Sequence, residues 1–228
     1  MEVQAIKTRL FAEGEDLVRF IREHVSNLNE GSIVVIASKI VALAEARVVD
    51  SVENKEELIK SESEWQKQVL PKWWLTIRDG TVVVNAGIDE SNAEGKIILL
   101  PKDCFAAAHV VRRRLMEAYN VKNIGVIITD SRITPLRAGV LGVALGYAGF
   151  TGIRDYRGKP DLYGRPMEVT QTNSADSLAT AATFLMGEGD ESQPLAVVEG
   201  APVEWVDAVD RNELKMPREQ DLFKHLFE

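Results

Sequence analysis

An α+β (mixed α/β) fold is predicted by three features of the sequence. Short β-branched runs, such as residues 32–37 and 123–129, are bounded by glycine and polar turn formers, as buried strands are. Between them lie segments with helical spacing of apolar residues and with capping residues at their starts. No tandem repeat or Ser/Gly-rich linker divides the 228 residues. The expected organisation is a single unit over residues 1–228, with sheets and helices interwoven and room for two interwoven lobes.

The elements follow in order. After a short initial strand, Gly14-Glu15-Asp16 places acids where a helix N-terminus favours them, and Leu17, Phe20, Ile21, Val25 and Leu28 recur at helical spacing. A buried strand over 32–37 leads into Ser38-Lys39. Residues 52–70 are rich in Glu and Lys, with apolar positions at Val52, Leu58, Trp65 and Val69, which predicts a solvated helix or a surface excursion. Asp79-Gly80 between residues 73–77 and 81–85 predicts a hairpin, because both turn positions need positive φ. Trp73-Trp74 are expected to be buried in a core or an interface.

A strand over 97–100 precedes a helix over 102–119. Its Arg112, Arg113 and Arg114 point about 100° apart, so they are read as solvated charge rather than one clamp. Residues 123–129 form the most strand-like segment and end at Asp130-Ser131. The stretch 138–150 places glycine every three or four residues, which suits either a strand with close backbone approach or a tightly packed helix. Asn173, with Asp176 three residues on, caps a helix through Met186, and a late strand covers 194–198.

Composition narrows the chemistry. With 27 basic against 35 acidic residues the net charge is -8, which opposes a nucleic-acid or anionic-membrane partner. The N-terminal residues lack the pattern of a secretory signal, and no apolar stretch has the length of a membrane span, so a cytoplasmic location is expected. One cysteine, Cys104, and three scattered histidines, His24, His109 and His225, exclude an intrachain disulfide and a Cys/His zinc site. Neither a P-loop nor a dinucleotide fingerprint occurs, and the stretch from Asp89 lacks the glycine and glutamate positions of a calcium loop.

Four segments remain as candidates. Residues 85–92, 129–131 and 186–191 each present carboxylates and small polar groups, oxygen ligands that suit Mg2+ or Mn2+ and their nucleotide phosphates. Each taken alone also reads as an ordinary turn. Residues 154–166 concentrate Arg154, Arg157, Lys159 and Arg165 with two acids and two tyrosines, which fits either anion recognition or a salt-bridge network at a subunit contact.

Taken together, Ser38-Lys39-Ile40-Val41, Asn85-Ala86-Gly87-Ile88-Asp89, Ser91-Asn92, Ile128-Thr129-Asp130-Ser131, Arg137-x-Gly139, residues 143–149, Arg157-Gly158 through Arg165, and Ala181-Ala182 through Met186-Gly187 resemble, in order, the coenzyme F420-0:L-glutamate ligases, or F420 γ-glutamyl ligases. The resemblance spans residues 3–200 and implies that family's fold. It also implies a GTP-dependent amide ligase that phosphorylates an acceptor carboxylate and lets the α-amine of L-glutamate attack the acyl phosphate. By motif position, Asp89, Asp130 and Arg137 are expected to be catalytic. Asp89, Asp130, Ser131 and Glu188 are expected to hold two Mg2+ or Mn2+ ions, with K+ as a further candidate. Ser38, Lys39, Asn92, Met186, Gly187, Gly189 and Asp190 are expected to contact GTP. The partners implied are GTP, L-glutamate, a carboxylate-bearing deazaflavin acceptor and a second copy of the chain.

The chain departs from the family pattern in places. Ile133-Thr134 replaces a Gly-Arg pair, Leu43 replaces a lysine, Lys7-Thr8-Arg9-Leu10 replaces a Gly-Leu-Pro loop, and Arg78-Asp79-Gly80 lacks a histidine. These changes leave a folate-type acceptor, or a non-catalytic nucleotide-binding regulator, as alternative readings.

Overall fold

The computed structural model describes residues 1–50 and 55–227. In chain order the first half comprises β1 (Glu2–Ile6), α1 (Leu17–His24), β2 (Ile33–Ala37), α2 (Ser38–Ala44), β3 (Val48–Val49), α3 (Lys55–Ser61), β4 (Trp65–Leu70), β5 (Trp73–Arg78), β6 (Thr81–Val84) and β7 (Ile97–Ile98). The second half comprises α4 (Cys104–Tyr119), β8 (Gly125–Ile133), β9 (Val140–Ala148), β10 (Ile153–Asp155), β11 (Gln171–Asn173), α5 (Ser174–Met186) and β12 (Leu195–Glu199). The fold is mixed α+β.

A five-stranded sheet in the order β1-β12-β2-β8-β9 forms the centre. The central strand β2 and the first half of β8 are continuously apolar because both faces are covered, as for a parallel-type strand with no wet side. Val34, Ile36, Val126 and Ile128 enter one core with α1 and α4. Ile33, Val35 and Ile127 enter the other with α5. Only β2 and β8 run parallel, in register from Ile33 with Gly125 to Ala37 with Thr129. The pairing stops there, so the next residues, Ser38 at the start of α2 and Asp130 further along β8, lie side by side.

The glycine-rich stretch left open by pattern is the strand β9. A bulge opposite Ile128 and Thr129 skips Leu145 and reverses the alternation. Gly142 consequently meets Thr183 and Ala179 of α5, whereas Gly146 meets Cys104 and Phe105 of α4. Each glycine lets a helix backbone approach the sheet where a side chain would overlap it. β8 runs to Ile133, so Asp130 and Ser131 belong to the strand and not to a loop beyond it.

Three expectations need correction. Residues 65–70 are not helical. They form β4, which pairs antiparallel with β5 in a three-stranded sheet with β6; the segment lies at the surface as expected, two intermediate residues followed by four exposed ones, without the alternation that marks a strand. Val52 lies outside the described residues. Arg112 is buried rather than solvated, because its Nε–H donates to the Ile124 carbonyl at 2.8 Å and holds α4 to the start of β8. Helical geometry separates it from exposed Arg113 and from Arg114, which pairs with Asp16 at 2.8 Å. Trp73 is half exposed, while Trp74 packs on the small core under α3.

Candidate active site

The site is built where β2 ends beside the continuing strand β8 and two loops meet them. Ser38, the first residue of α2, is buried, and its hydroxyl donates to Asp130 Oδ1 at 3.1 Å. The next residue, Lys39, places Nζ 2.7 Å from Asp89 Oδ2 and donates to the Ser91 carbonyl at 2.9 Å. Asn92 Nδ2 donates to the Gly189 carbonyl at 3.4 Å. Glu188, beside Gly189, accepts from the Ser131 hydroxyl at 2.6 Å, and Ser131 adjoins Asp130. The contacts close into a ring of four chain segments.

Backbone geometry fixes Asp89 in that ring. Asn85, Ala86 and Gly87 have φ of 51°, 56° and 72°, a left-handed turn that non-glycine residues adopt at a cost of about 1–3 kcal/mol each. Hydrogen bonds hold the turn. Asn85 Oδ1 accepts from Trp74 N–H at 2.8 Å, and the Ala86 N–H donates to Thr76 Oγ1 at 2.9 Å. Gly87 has no side chain because Leu100 occupies the place of its Cβ. Downstream, Asp89 Oδ1 accepts the Ser91 N–H at 2.7 Å, and a bridge to Ile98 holds its backbone.

Electrostatics are set by two cations on two acids. Burial alone would raise the Asp89 carboxyl, yet hydrogen bonds from Lys39 and Ser91 outweigh it and hold the group below the ordinary aspartate value. Asp130 pairs with Arg132, whose side chain is about nine-tenths buried with 10% exposure. Among the described residues no three His, Cys, Asp or Glu side chains gather as an ion-binding cluster.

The sequence profile of F420-0:Gamma-glutamyl ligase matches residues 5–68 and 54–200. A protein of Methanopyrus kandleri named coenzyme F420:L-glutamate ligase is 39% identical, with 82% of this chain and 81% of the relative aligned. Proteins of the same name from Methanococcus maripaludis and Archaeoglobus fulgidus are each 34% identical, over 98% and 94% of this chain and 97% and 92% of their own lengths.

The chain belongs to the F420-0:gamma-glutamyl ligase family. Its enzyme class is therefore that of a ligase. In this family member the structure brings together Ser38, Lys39, Asp89, Asn92, Asp130, Ser131, Glu188 and Gly189. Other expected residues lie elsewhere. Met186 is buried in the α5 core, and Gly187, at φ 80°, ends that helix with Glu191 filling the space a Cβ would need. Asp190 is exposed and its carbonyl accepts only a long 3.4 Å bond from Ser192. Arg137 is exposed on the β8–β9 connection, and its side chain makes no hydrogen bond or ion pair with a described residue.

Sequence reasoning missed Arg132. Strand alternation was the available signal, because positions i and i+2 share a face and Arg132 must lie beside Asp130 once β8 extends past it. Glu191 was also passed over as a positioning group. Its carboxylate accepts the Gly189 N–H at 2.8 Å and shapes the loop that carries Glu188.

Proposed function

We propose that the chain is a GTP-dependent γ-glutamyl ligase that joins L-glutamate to coenzyme F420-0. The observation that carries this reading is the closed ring of contacts linking four sequence-distant segments beside the carboxyl end of β2, where its parallel pairing with β8 stops. The names of the archaeal relatives supply the acceptor.

In this reading an oxygen of the acceptor carboxylate attacks the γ-phosphorus of GTP, the bond to the bridging oxygen breaks, and GDP leaves. The α-amine of glutamate then attacks the acyl carbon, inorganic phosphate departs, and the amine gives up a proton. Phosphoryl transfer asks the protein chiefly for positioning and for compensation of charge. Lys39, a point charge on a flexible stem, exchanges the Asp89 carboxylate for a phosphate oxygen. Ser38 and Ser91 orient the two aspartates, and the strained 85–87 turn keeps Asp89 from following Lys39. Arg137 reaches the site only if the exposed β8–β9 connection folds over it.

Asp89, Asp130, Ser131 and Glu188 are hard oxygen donors of the type that suits Mg2+ or Mn2+, and the two side-chain cations mark where positive charge is wanted. These residues would hold such ions, which when bound supply neutralisation of the phosphate charge. K+ is a further candidate, and a homodimer in the cytoplasm is the assembly expected from the resemblance.

The test is a mass assay with GTP, Mn2+ and L-glutamate, offering F420-0 and tetrahydrofolate in parallel. A gain of one glutamyl unit on F420-0 with phosphate release is expected. A gain on the folate alone would refute the acceptor, and GTP binding without phosphate release on either would refute the ligase reading.

A further inference from the structure

Arg132 connects the ring of acids to a second feature, a small cleft between β8, β9, the start of α4, the β5–β6 turn and the C-terminal segment. Four cations line it, Arg78, Arg132, Arg211 and Lys215, against one carboxylate, Asp79. Two of the cations are already committed. Arg78 pairs with Glu62 at 2.6 Å and donates to the Pro101 carbonyl at 3.2 Å, while Arg211 pairs with Asp103 at 3.2 Å and lies over the Phe105 ring.

The other two retain free donors. Arg132 gives a terminal nitrogen to Asp130, but its Nε–H is the single buried side-chain polar group without a partner among the described residues. Lys215 lies across Gly80, and its ammonium makes no hydrogen bond or ion pair with a described residue. A buried N–H left unpaired is costly and asks for an acceptor. The space is about 40 Å³, room for a few waters or one carboxylate head and too small for a nucleotide. Leu145 and Leu214 give it apolar walls suited to a methylene chain.

We propose that this cleft is a carboxylate subsite, with Arg132 and Lys215 as its donors, and that it seats one carboxylate of a reactant beside Asp130. Its source is either the free amino acid or the glutamyl-like end of the acceptor. The inference rests on the ligase reading for its role. It also assigns a function to the C-terminal segment, which carries Arg211 and Lys215 and lies beyond the 5–200 region shared with the family profile. That segment is anchored for the purpose, since Glu213 accepts from Tyr147 Oη at 2.5 Å and from the Gly152 N–H at 2.6 Å.

The variant to make is Lys215→Met in the full chain, with Lys215→Arg as the charge-keeping control. Lys215→Met should raise KM for one carboxylate substrate about tenfold, in line with loss of one charged hydrogen bond, and leave kcat and the KM for GTP within about twofold. Lys215→Arg should restore it. A rise confined to glutamate assigns the amino acid, and one confined to the acceptor assigns the acceptor. Unchanged constants, or a rise for GTP only, would overturn the subsite. Independently of turnover, calorimetric titration with glutarate should show millimolar binding to the wild type, weakened about tenfold by Lys215→Met. Absent or equal binding would overturn the proposal. Glutarate binding that depends on Lys215 in a protein that makes no glutamyl product would sink the ligase reading and leave the subsite standing.

Discussion

The acid ring and the arm over residues 153–173 are both rich in charge, and they differ in where those charges go. In the arm, Arg157 donates to Asp155 at 2.6 Å, Arg154 and Lys159 lie over Tyr156, and Asp161 Oδ1 accepts from the N–H groups of Tyr163 and Arg165. Each partner is a near neighbour in sequence. In the ring, Ser38 reaches Asp130, Lys39 reaches Asp89 and Ser91, Ser131 reaches Glu188, and Asn92 reaches Gly189. Density along the chain therefore marks a self-satisfied loop, whereas convergence from four distant segments marks a site. The loop closures that bring such segments together cost entropy that local turns do not.

The sharpest way to break this contrast is Asp130→Asn. The amide oxygen can still accept from Ser38, so the ring should survive, but the NH2 then faces the Arg132 guanidinium donor to donor, and the lost ion-paired hydrogen bond should cost about 1.5–3 kcal/mol. Turnover should fall about 10³-fold, because charge compensation at transferred phosphate is the term removed. Single-turnover phosphate release and a melting curve measure the two effects separately. Turnover within tenfold of wild type would remove Asp130 from the chemistry and leave the ring as a structural clasp.

Lys39→Met comes next, with an expected loss of about 10²-fold in kcat/KM for GTP. It carries a second readout in acid. Because donors hold the Asp89 carboxyl below its ordinary value, the native state gains stability from its ionised form. That gain is fully present above the unfolded value near 3.9 and is lost as pH falls through the lower folded value. Without Lys39 the depression shrinks. Melting curves of wild type and variant should differ at pH 5–7 and converge as pH falls through the lowered folded value. A constant difference across that range would show that the ion pair does not depress Asp89.

Much of this was legible before any coordinates. The β-branched runs became β2 and β8, the Asp79-Gly80 turn lies at φ of 51° and 72°, and Asn173 caps α5 through the Asp176 N–H. The ring residues were legible as motifs, since their order along the chain resembles that of the family. What escaped was whatever depended on partners far along the chain. β4 carries no apolar alternation of its own and exists because β5 pairs with it. The burial of Arg112 depends on the Ile124 carbonyl, and that of Arg132 on how far β8 continues beside β9. Arg137 was assigned by motif alone, and no local rule fixes where an exposed connection will point.

The smallest expected effect belongs to the arm, and it is the one that sharpens the comparison most. Arg157 and Asp155 are each about half exposed, at 54% and 41%, so solvent and salt screen the pair and ordering two long side chains offsets what remains. Arg157→Ala should therefore leave the melting temperature within about 2 °C and kcat/KM for every substrate within about twofold. The same arm exposes Leu162 and Tyr163 almost fully, at 100% and 89%. If Arg157→Ala lowered kcat/KM tenfold while melting stayed fixed, the guanidinium would have to reach a substrate, in this copy or in a neighbouring one. Local pairing would then be a resting arrangement, and the division between a self-satisfied loop and a convergent site would fail at the arm first.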